Sequence, residues 1–393
     1  MTPTARRPLR LLAAAAVAVA VLSGCSTVKN MFGGRNKDKS LEPTPLVEIA
    51  PTATVTRLWT ASAGKGEERL GIGQHPVVAD GRVYAAAVDG GVSAYDLHSG
   101  QPLWHYASDL RLSGGPGAGD GLVVVGGLEG DVIALDAATG TEKWTAKVTN
   151  EVLAAPLVGG GQVFVHSNDG RVTALDAATG ERHWFYSADL PALTVRGSGG
   201  MVQGPGIVFV GNDNGTLTAL NMGDGGMMWS TPVAEPDGRS ELERMADVDG
   251  APVLDGRILF ATSYKNHTVA IDGPSGQVMW DRENGGPRGL GVSNSAVVVT
   301  DPAGNVVGLD KNTGGSLWQQ SGLARRNTSA PAVQGDYAVV GDYEGYLHWL
   351  RLSDGAFAAR TRVDGAVTAQ PVVADGIAIV QTIDGQVTAF ALQ

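Results

Sequence analysis

Short apolar runs alternate with Gly-centred polar turns from residue 55 to Gln393. One unit shows the pattern in full: Gly161-Gln-Val-Phe-Val-His-Ser-Asn-Asp-Gly-Arg-Val-Thr-Ala-Leu-Asp-Ala-Ala-Thr-Gly-Glu-Arg-His-Trp184. Its apolar positions predict two strands, Gln162–Ser167 and Arg171–Asp176, joined at Asn168-Asp169-Gly170. Asp-Gly between two such runs is a strong hairpin signal, because a tight turn needs positive φ and Gly adopts it without strain. A second turn, Ala178-Thr179-Gly180, leads to a further strand that carries Trp184. A single hairpin of this kind cannot bury both its faces, so the unit makes sense only as part of a repeat.

The repeat is present. Its turn-to-Trp segment recurs as Tyr95-Asp-Leu-His-Ser-Gly-Gln-Pro-Leu-Trp104, Leu135-Asp-Ala-Ala-Thr-Gly-Thr-Glu-Lys-Trp144, Leu220-Asn-Met-Gly-Asp-Gly-Gly-Met-Met-Trp229, Ile271-Asp-Gly-Pro-Ser-Gly-Gln-Val-Met-Trp280 and Leu309-Asp-Lys-Asn-Thr-Gly-Gly-Ser-Leu-Trp318. A seventh copy, Leu350-Arg-Leu-Ser-Asp-Gly-Ala-Phe-Ala-Ala359, keeps the turn and loses the Trp. An eighth, Asp384-Gly-Gln-Val-Thr-Ala-Phe390, lacks its last strand, and residues 55–60 around Trp59 can supply it. A period of about 40–45 residues with four strands per unit is the signature of a propeller blade. The expected fold is therefore all-β: an eight-bladed β-propeller of four-stranded antiparallel blades, the last closed by the N-terminal strand so that no edge is left unpaired.

The repeated residues read as structural. Trp at one recurring position supplies a large apolar anchor between sheets, with one N–H to satisfy. Asp136, Asp176, Asp272 and Asp310 precede the turn, where a carboxylate caps backbone N–H groups. A small-residue step at Ala154-Ala-Pro156, Gly250-Ala-Pro252, Ser329-Ala-Pro331 and Ala369-Gln-Pro371 suits the innermost strand, where blades crowd the axis. The Asp-to-Trp pattern resembles the tryptophan-docking repeat of quinoprotein-like propellers.

Composition narrows the function. Gly accounts for 56 of 393 residues, in keeping with many turns, and the net charge is −11. An acidic body lacks the clustered Lys and Arg that phosphate contacts require, so nucleic acid is not an expected partner. The seven His residues stand alone, with no metal-ligand spacing, and no thiolate site is available, so neither a metal nor a cofactor is expected. No nucleophile elbow is present, and catalysis is not expected. Quinoprotein alcohol dehydrogenases share the repeat but are longer and carry an adjacent Cys pair that this chain lacks.

The only Cys is Cys25. It follows basic residues Arg6, Arg7 and Arg10, an apolar run over 11–22 too short to span a bilayer, and Leu22-Ser-Gly-Cys25. This resembles the bacterial lipobox, in which the Cys becomes the lipid-modified first residue. Ser26 in place of Asp implies the outer membrane. The expected organisation is a lipoprotein signal peptide at 1–24, a lipidated flexible tether at 25–54 with Pro43, Pro45 and Pro51, and the propeller at 55–393.

The inter-blade connections after Trp184 and after Trp229 carry extra length. One contains Asp189-Leu-Pro-Ala-Leu-Thr-Val-Arg-Gly197, and the next contains Glu235-Pro-Asp-Gly-Arg-Ser-Glu-Leu-Glu-Arg-Met-Ala-Asp-Val-Asp249. Both are expected on one face, where loops on a rigid scaffold carry binding. Leu193, Val195 and Arg196 have the composition of an interface anchor, and Asp247 and Asp249 are expected as rim charges that steer association.

With these loops and Val340-Gly-Asp-Tyr-Glu-Gly-Tyr-Leu-His-Trp349, the chain resembles the BamB family, propeller lipoproteins of the outer-membrane β-barrel assembly machinery, over essentially its whole length. The resemblance implies a non-catalytic scaffold, lipid-anchored at the periplasmic face of the outer membrane. In that family the two loops bind the periplasmic POTRA domains of the barrel subunit BamA. The resemblance places this role on Leu193, Val195, Arg196, Asp247 and Asp249, with Val195 standing where Leu is typical. Direct contact with unfolded outer-membrane proteins stays open. The alternative is a periplasmic propeller enzyme or sensor that binds a quinone or sugar in its axial channel. An enzyme needs convergent acids, bases or a metal cluster in the channel lining, and the sequence offers none.

Overall fold

The computed structural model describes residues 42–66, 74–197 and 199–393; Cys25 and the expected signal peptide lie outside them. Among the described residues, thirty-two strands form eight four-stranded antiparallel sheets. Seven blades take four consecutive strands each: blade 1 at 77–106, blade 2 at 112–147, blade 3 at 157–187, blade 4 at 201–232, blade 5 at 253–282, blade 6 at 290–320 and blade 7 at 332–362. Blade 8 takes Val372–Ala374, Ile377–Gln381 and Gln386–Leu392, and its outermost strand is Val55–Ser62. The closing strand pairs antiparallel from Val55 opposite Leu392 to Ser62 opposite Gln386, with a bulge between Arg57 and Trp59. It extends two residues beyond the expected 55–60.

The second strands are the apolar runs of the sequence. Leu122–Gly127, Ile207–Gly211 and Ala296–Thr300 are buried along their entire length because both of their faces pack on neighbouring blades. The third strands are nearly as buried, whereas the outermost strands turn one face to solvent. The core therefore lies between adjacent sheets, in successive clusters around the ring.

Trp is the joint. Each of the seven repeated Trp residues donates its indole N–H to a backbone carbonyl of the next blade, from Trp59 to Leu97 O at 2.9 Å through Trp184 to Met222 O at 2.9 Å and Trp318 to Leu352 O at 2.7 Å. The indole lies against the turn Gly of that blade. At Gly180, with φ +75°, an added Cβ would sit 2.6 Å from the Trp144 ring. The turn thus needs Gly twice, for its positive φ and for the close approach of the indole. The Asp before the turn caps it as expected: Asp176 Oδ1 accepts from the N–H of Ala178 and Thr179 at 2.9 and 2.8 Å, and Asp136 and Asp310 accept in the same way.

Blade 7 replaces the missing Trp. Trp349, fully buried one strand further in, donates to Gln334 Oε1 at 2.7 Å, and Gln334 Nε2 reaches Gly376 O and Phe390 O of blade 8 at 2.7 and 3.2 Å. Small Ala358 and Ala359 leave room over the outermost strand, and the chain before the closing strand fills it. Thr52 N–H donates to Ala358 O at 2.8 Å, and Arg360 Nη1 donates to Val47 O at 2.8 Å. Arg326 Nη1 donates to Thr44 O at 3.0 Å, while Leu46 and Ala53 pack on the apolar clusters beneath. A free tether running to Thr54 is therefore corrected: residues 44–54 form a strap bound to the propeller. Their Pro content hides this, because an extended chain can dock on a sheet edge without any period of its own.

Arg326 belongs to a buried ion network beneath the strap. Its Nε donates to Asp342 Oδ2 at 2.7 Å, and its Nη2 to Glu344 Oε2 at 2.5 Å. His348 Nδ1 accepts from Arg360 Nε at 3.1 Å, which leaves Nε2–H to donate to Asp342 at 3.0 Å. Burial depresses the His348 pKa and so favours this neutral form. Burial pushes Asp342 up, but His348, the Tyr346 N–H and Arg326 outweigh it and hold the carboxyl below its ordinary range.

Candidate functional site: a clasp of two inter-blade loops

Each blade's strands alternate in direction, so every connection from an outermost strand to the next innermost strand lies on one face of the ring. Two long ones, residues 188–200 and 233–252, are neighbours there. The second is exposed from Glu235 to Arg244 and there builds one helical turn, α1 (Glu241–Arg244), closed by a capping box between Ser240 and Glu243. Lys265 Nζ ties Asp237 of the same loop to blade 5. The chain then descends: Met245, Ala246, Asp247 and Val248 are all buried. Backbone bonds pin the descent, with Val248 N–H to Asn212 O at 3.2 Å and Tyr264 N–H to Asp247 O at 2.8 Å.

The first loop closes over this descent. Val195 N–H donates to Asp247 Oδ1 at 2.8 Å, and Gly200 N–H donates to Asp249 O at 3.2 Å. Gly197 lies so close that an added Cβ would stand 3.0 Å from Asp249 Oδ1. Leu193 is held outward, 43% exposed, and Arg196 pairs with Glu151 of the neighbouring connection at 2.6 Å. Leu193 and Arg196 thus form an outward ridge on a clasp, with Val195 half-buried between them. The clasp borders an axial cavity of about 550 Å³, whose lining includes His75, Arg196, Gly197, Asp249, Arg288 and Tyr343. Arg288 reaches across it to Thr368 O and Asn327 Oδ1 at 3.1 and 2.6 Å.

One expectation fails. Asp247 and Asp249 are not rim charges, because Asp247 has no exposed surface and Asp249 is largely covered. They hold the two loops together from below. Sequence alone could not separate a solvated loop carboxylate from a buried one, since burial here depends on chain folded back from another blade.

Sequence reasoning also missed Asp213, in the turn between the second and third strands of blade 4. One carboxylate oxygen from each of Asp213, Asp247 and Asp249 lies within 4.8 Å of the others. Burial, then the charge of Asp247, pushes Asp213 up to about 7. Burial raises Asp247 too, against the opposing pull of its backbone hydrogen bonds. Asp249 is raised well above the ordinary range by burial and then by the charges of Asp247 and Asp213. The one available signal was that Asp213 sits in the blade flanked by both long loops.

A ring of Trp-docked blades with one elaborated loop face defines an eight-bladed β-propeller of PQQ-like repeats. The family model described as outer membrane protein assembly factor BamB matches residues 49–111, 88–320 and 302–393. The chain belongs to the BamB family. It is 56% identical over 384 residues to outer membrane protein assembly factor BamB of Xanthomonas campestris pv. campestris, covering 94% of this chain and 95% of that protein. To the protein of the same name from Escherichia coli K12 it is 34% identical over 389 residues, covering 96% and 98%. The crystal structure of BamB from Moraxella catarrhalis matches with a TM-score of 0.79 at 28% identity, covering 86% of this chain and all of that one. A quinohemoprotein alcohol dehydrogenase from Comamonas testosteroni matches at TM-score 0.68 and 16% identity, covering 86% and 76%, a likeness of fold alone. The full-length Xanthomonas and Escherichia relatives are named assembly factors, not enzymes.

Proposed function

We propose that the chain is a lipid-anchored scaffold of outer-membrane β-barrel assembly, and that the clasp face binds the POTRA domains of BamA. The observation that carries this reading is the outward ridge at 193–196, fixed to the blades through the Val195–Asp247 hydrogen bond at 2.8 Å. A preorganised loop loses little conformational freedom on binding, and an exposed Leu beside an Arg is the make-up of an interface hot spot. Leu193 and Arg196 make the contact, Val195 joins ridge to clasp, and Asp247 and Asp249 act from beneath by holding the loops in place.

The test is co-purification with BamA from membranes, alongside circular dichroism of the purified propeller. Leu193→Ala with Arg196→Ala should lose BamA while the β signal and the thermal midpoint hold, because neither residue belongs to the repeat. Full retention of BamA by this variant would move the interface elsewhere, and unfolding would make the residues structural.

Anchoring is proposed at Cys25, whose lipobox context resembles that of outer-membrane lipoproteins. Cys25→Ser should yield protein without acyl chains by mass spectrometry, released from the membrane fraction. A variant that still carries lipid would overturn the assignment.

A further inference from the structure

Three carboxylates converge beneath the clasp, and among the described residues none of them forms an ion pair with a cationic side chain. Asp247 is fully buried, and among the described residues its Oδ2 finds no hydrogen-bond donor; the same holds for Asp249 Oδ1. Asp247 Oδ1 is already taken by Val195 N–H, so the unpaired Oδ2 belongs to a side chain whose orientation is fixed. Leaving buried carboxylate oxygens unpaired is costly, and three like charges this close cannot all persist without compensation. Elsewhere the chain solves the same problem with its own cations, as Arg326 does for Asp342 at 2.7 Å.

We propose that Asp213, Asp247 and Asp249 bind a calcium ion that locks the two loops to blade 4. The donor set is oxygen only, which suits a hard cation. One oxygen from each of the three carboxylates lies within 4.8 Å of the others, close enough for a single ion to bridge them at calcium–oxygen distances of about 2.4 Å. Magnesium keeps several of its waters and takes only one or two carboxylates, so three protein carboxylates at one site suit calcium better. Asp249 lines the axial cavity, which gives the ion a path in and water molecules to complete its shell. Bound there, the ion would join the turn of blade 4 to the second loop and, through Asp247 and Val195, to the first. This role for the loops rests on the proposed partner surface; binding of the ion does not.

The experiment is calorimetric titration of the chelator-treated full chain, in detergent, with calcium chloride, and it contains no BamA. A failure here leaves the partner assignment standing, and a failure of co-purification leaves the ion standing. One calcium per chain is expected, with a dissociation constant on the order of 10⁻⁴–10⁻³ M as in extracellular modules, and a thermal midpoint that rises with calcium by mass action. Asp249→Asn keeps the Val195–Asp247 bond and should weaken binding at least about tenfold, one charged ligand being worth more than 1.4 kcal/mol. Asp213→Asn should do the same, and Asp237→Asn, on the exposed part of the loop, should change nothing. A flat wild-type titration with an unmoved midpoint would overturn the proposal and mean that shared protons satisfy the cluster. Wild-type affinity in both the Asp249 and Asp213 variants would overturn it as well.

Discussion

A chain that begins at Ala63 should fail to show a cooperative thermal transition. Removing Val55–Ser62 deletes all seven register pairs with Gln386–Leu392 and leaves that strand as an open edge. It also removes Trp59, which is 8% exposed, donates to Leu97 O at 2.9 Å and packs against Gly100. Loss of a buried Trp side chain alone costs about 3–5 kcal/mol. The strand's hydrogen bonds come on top, and whole domains are stable by only about 5–15 kcal/mol. Trp59→Ala in the intact chain separates the two contributions, because it should lower stability by about 3–5 kcal/mol and leave the transition cooperative. Differential scanning calorimetry of both variants is the measurement. An unchanged midpoint in the shortened chain would mean that the ring holds without its closing strand.

The second large effect is expected at Asp342. This fully buried carboxylate accepts from Arg326 Nε, from His348 Nε2 and from the N–H groups of Glu344 and Tyr346, the last two at 2.9 Å each. Asp342→Ala strands a guanidinium that is only 2% exposed beside one half-exposed acid, Glu344. Breaking one partner out of a buried pair costs about 3–5 kcal/mol, because the remaining charge has lost its compensation. Urea unfolding reports it as a lower midpoint. The pH dependence supplies a second readout. The folded state holds Asp342 below its ordinary value of 3.8, so its contribution is present above that pH and is lost as pH falls through the lower folded value. The wild type should therefore lose more stability than the variant on acidification below about pH 4. Parallel acid limbs would show that Asp342 is not held ionised by its neighbours.

The ring was legible in the sequence because a blade is specified locally. Asp-Gly turns, apolar second strands and the Gly-to-Trp spacing all fall within one repeat, and each recurs often enough to separate signal from chance. Closure was legible for the same reason, since one incomplete unit and one spare strand add up to a blade. The clasp was legible only as two long loops. That Asp247 runs underneath rather than along the rim depends on Asn212 and Tyr264, which no local pattern connects to it. Asp213 was hidden in a turn that looks like every other turn. In blade 7 the absence of Trp could be read, but its replacements could not, because Trp349, Gln334 and the strap come from three separate stretches of chain. What repeats is readable, and what departs from the repeat acquires its meaning from residues far away in sequence.

Closure also has a timetable. Thr60 and Thr388, whose hydroxyls meet 3.4 Å apart across the seam, are separated by 328 residues. The first strand of the ring therefore waits for the last, and the arc of finished blades waits with it, open at both ends. Pairing over so long a loop is slow, and unpaired strand edges recruit other chains in the meantime. The yield of closed rings is decided in that window, by whatever keeps the two ends of one chain apart from the ends of its neighbours rather than by the sequence of any single blade.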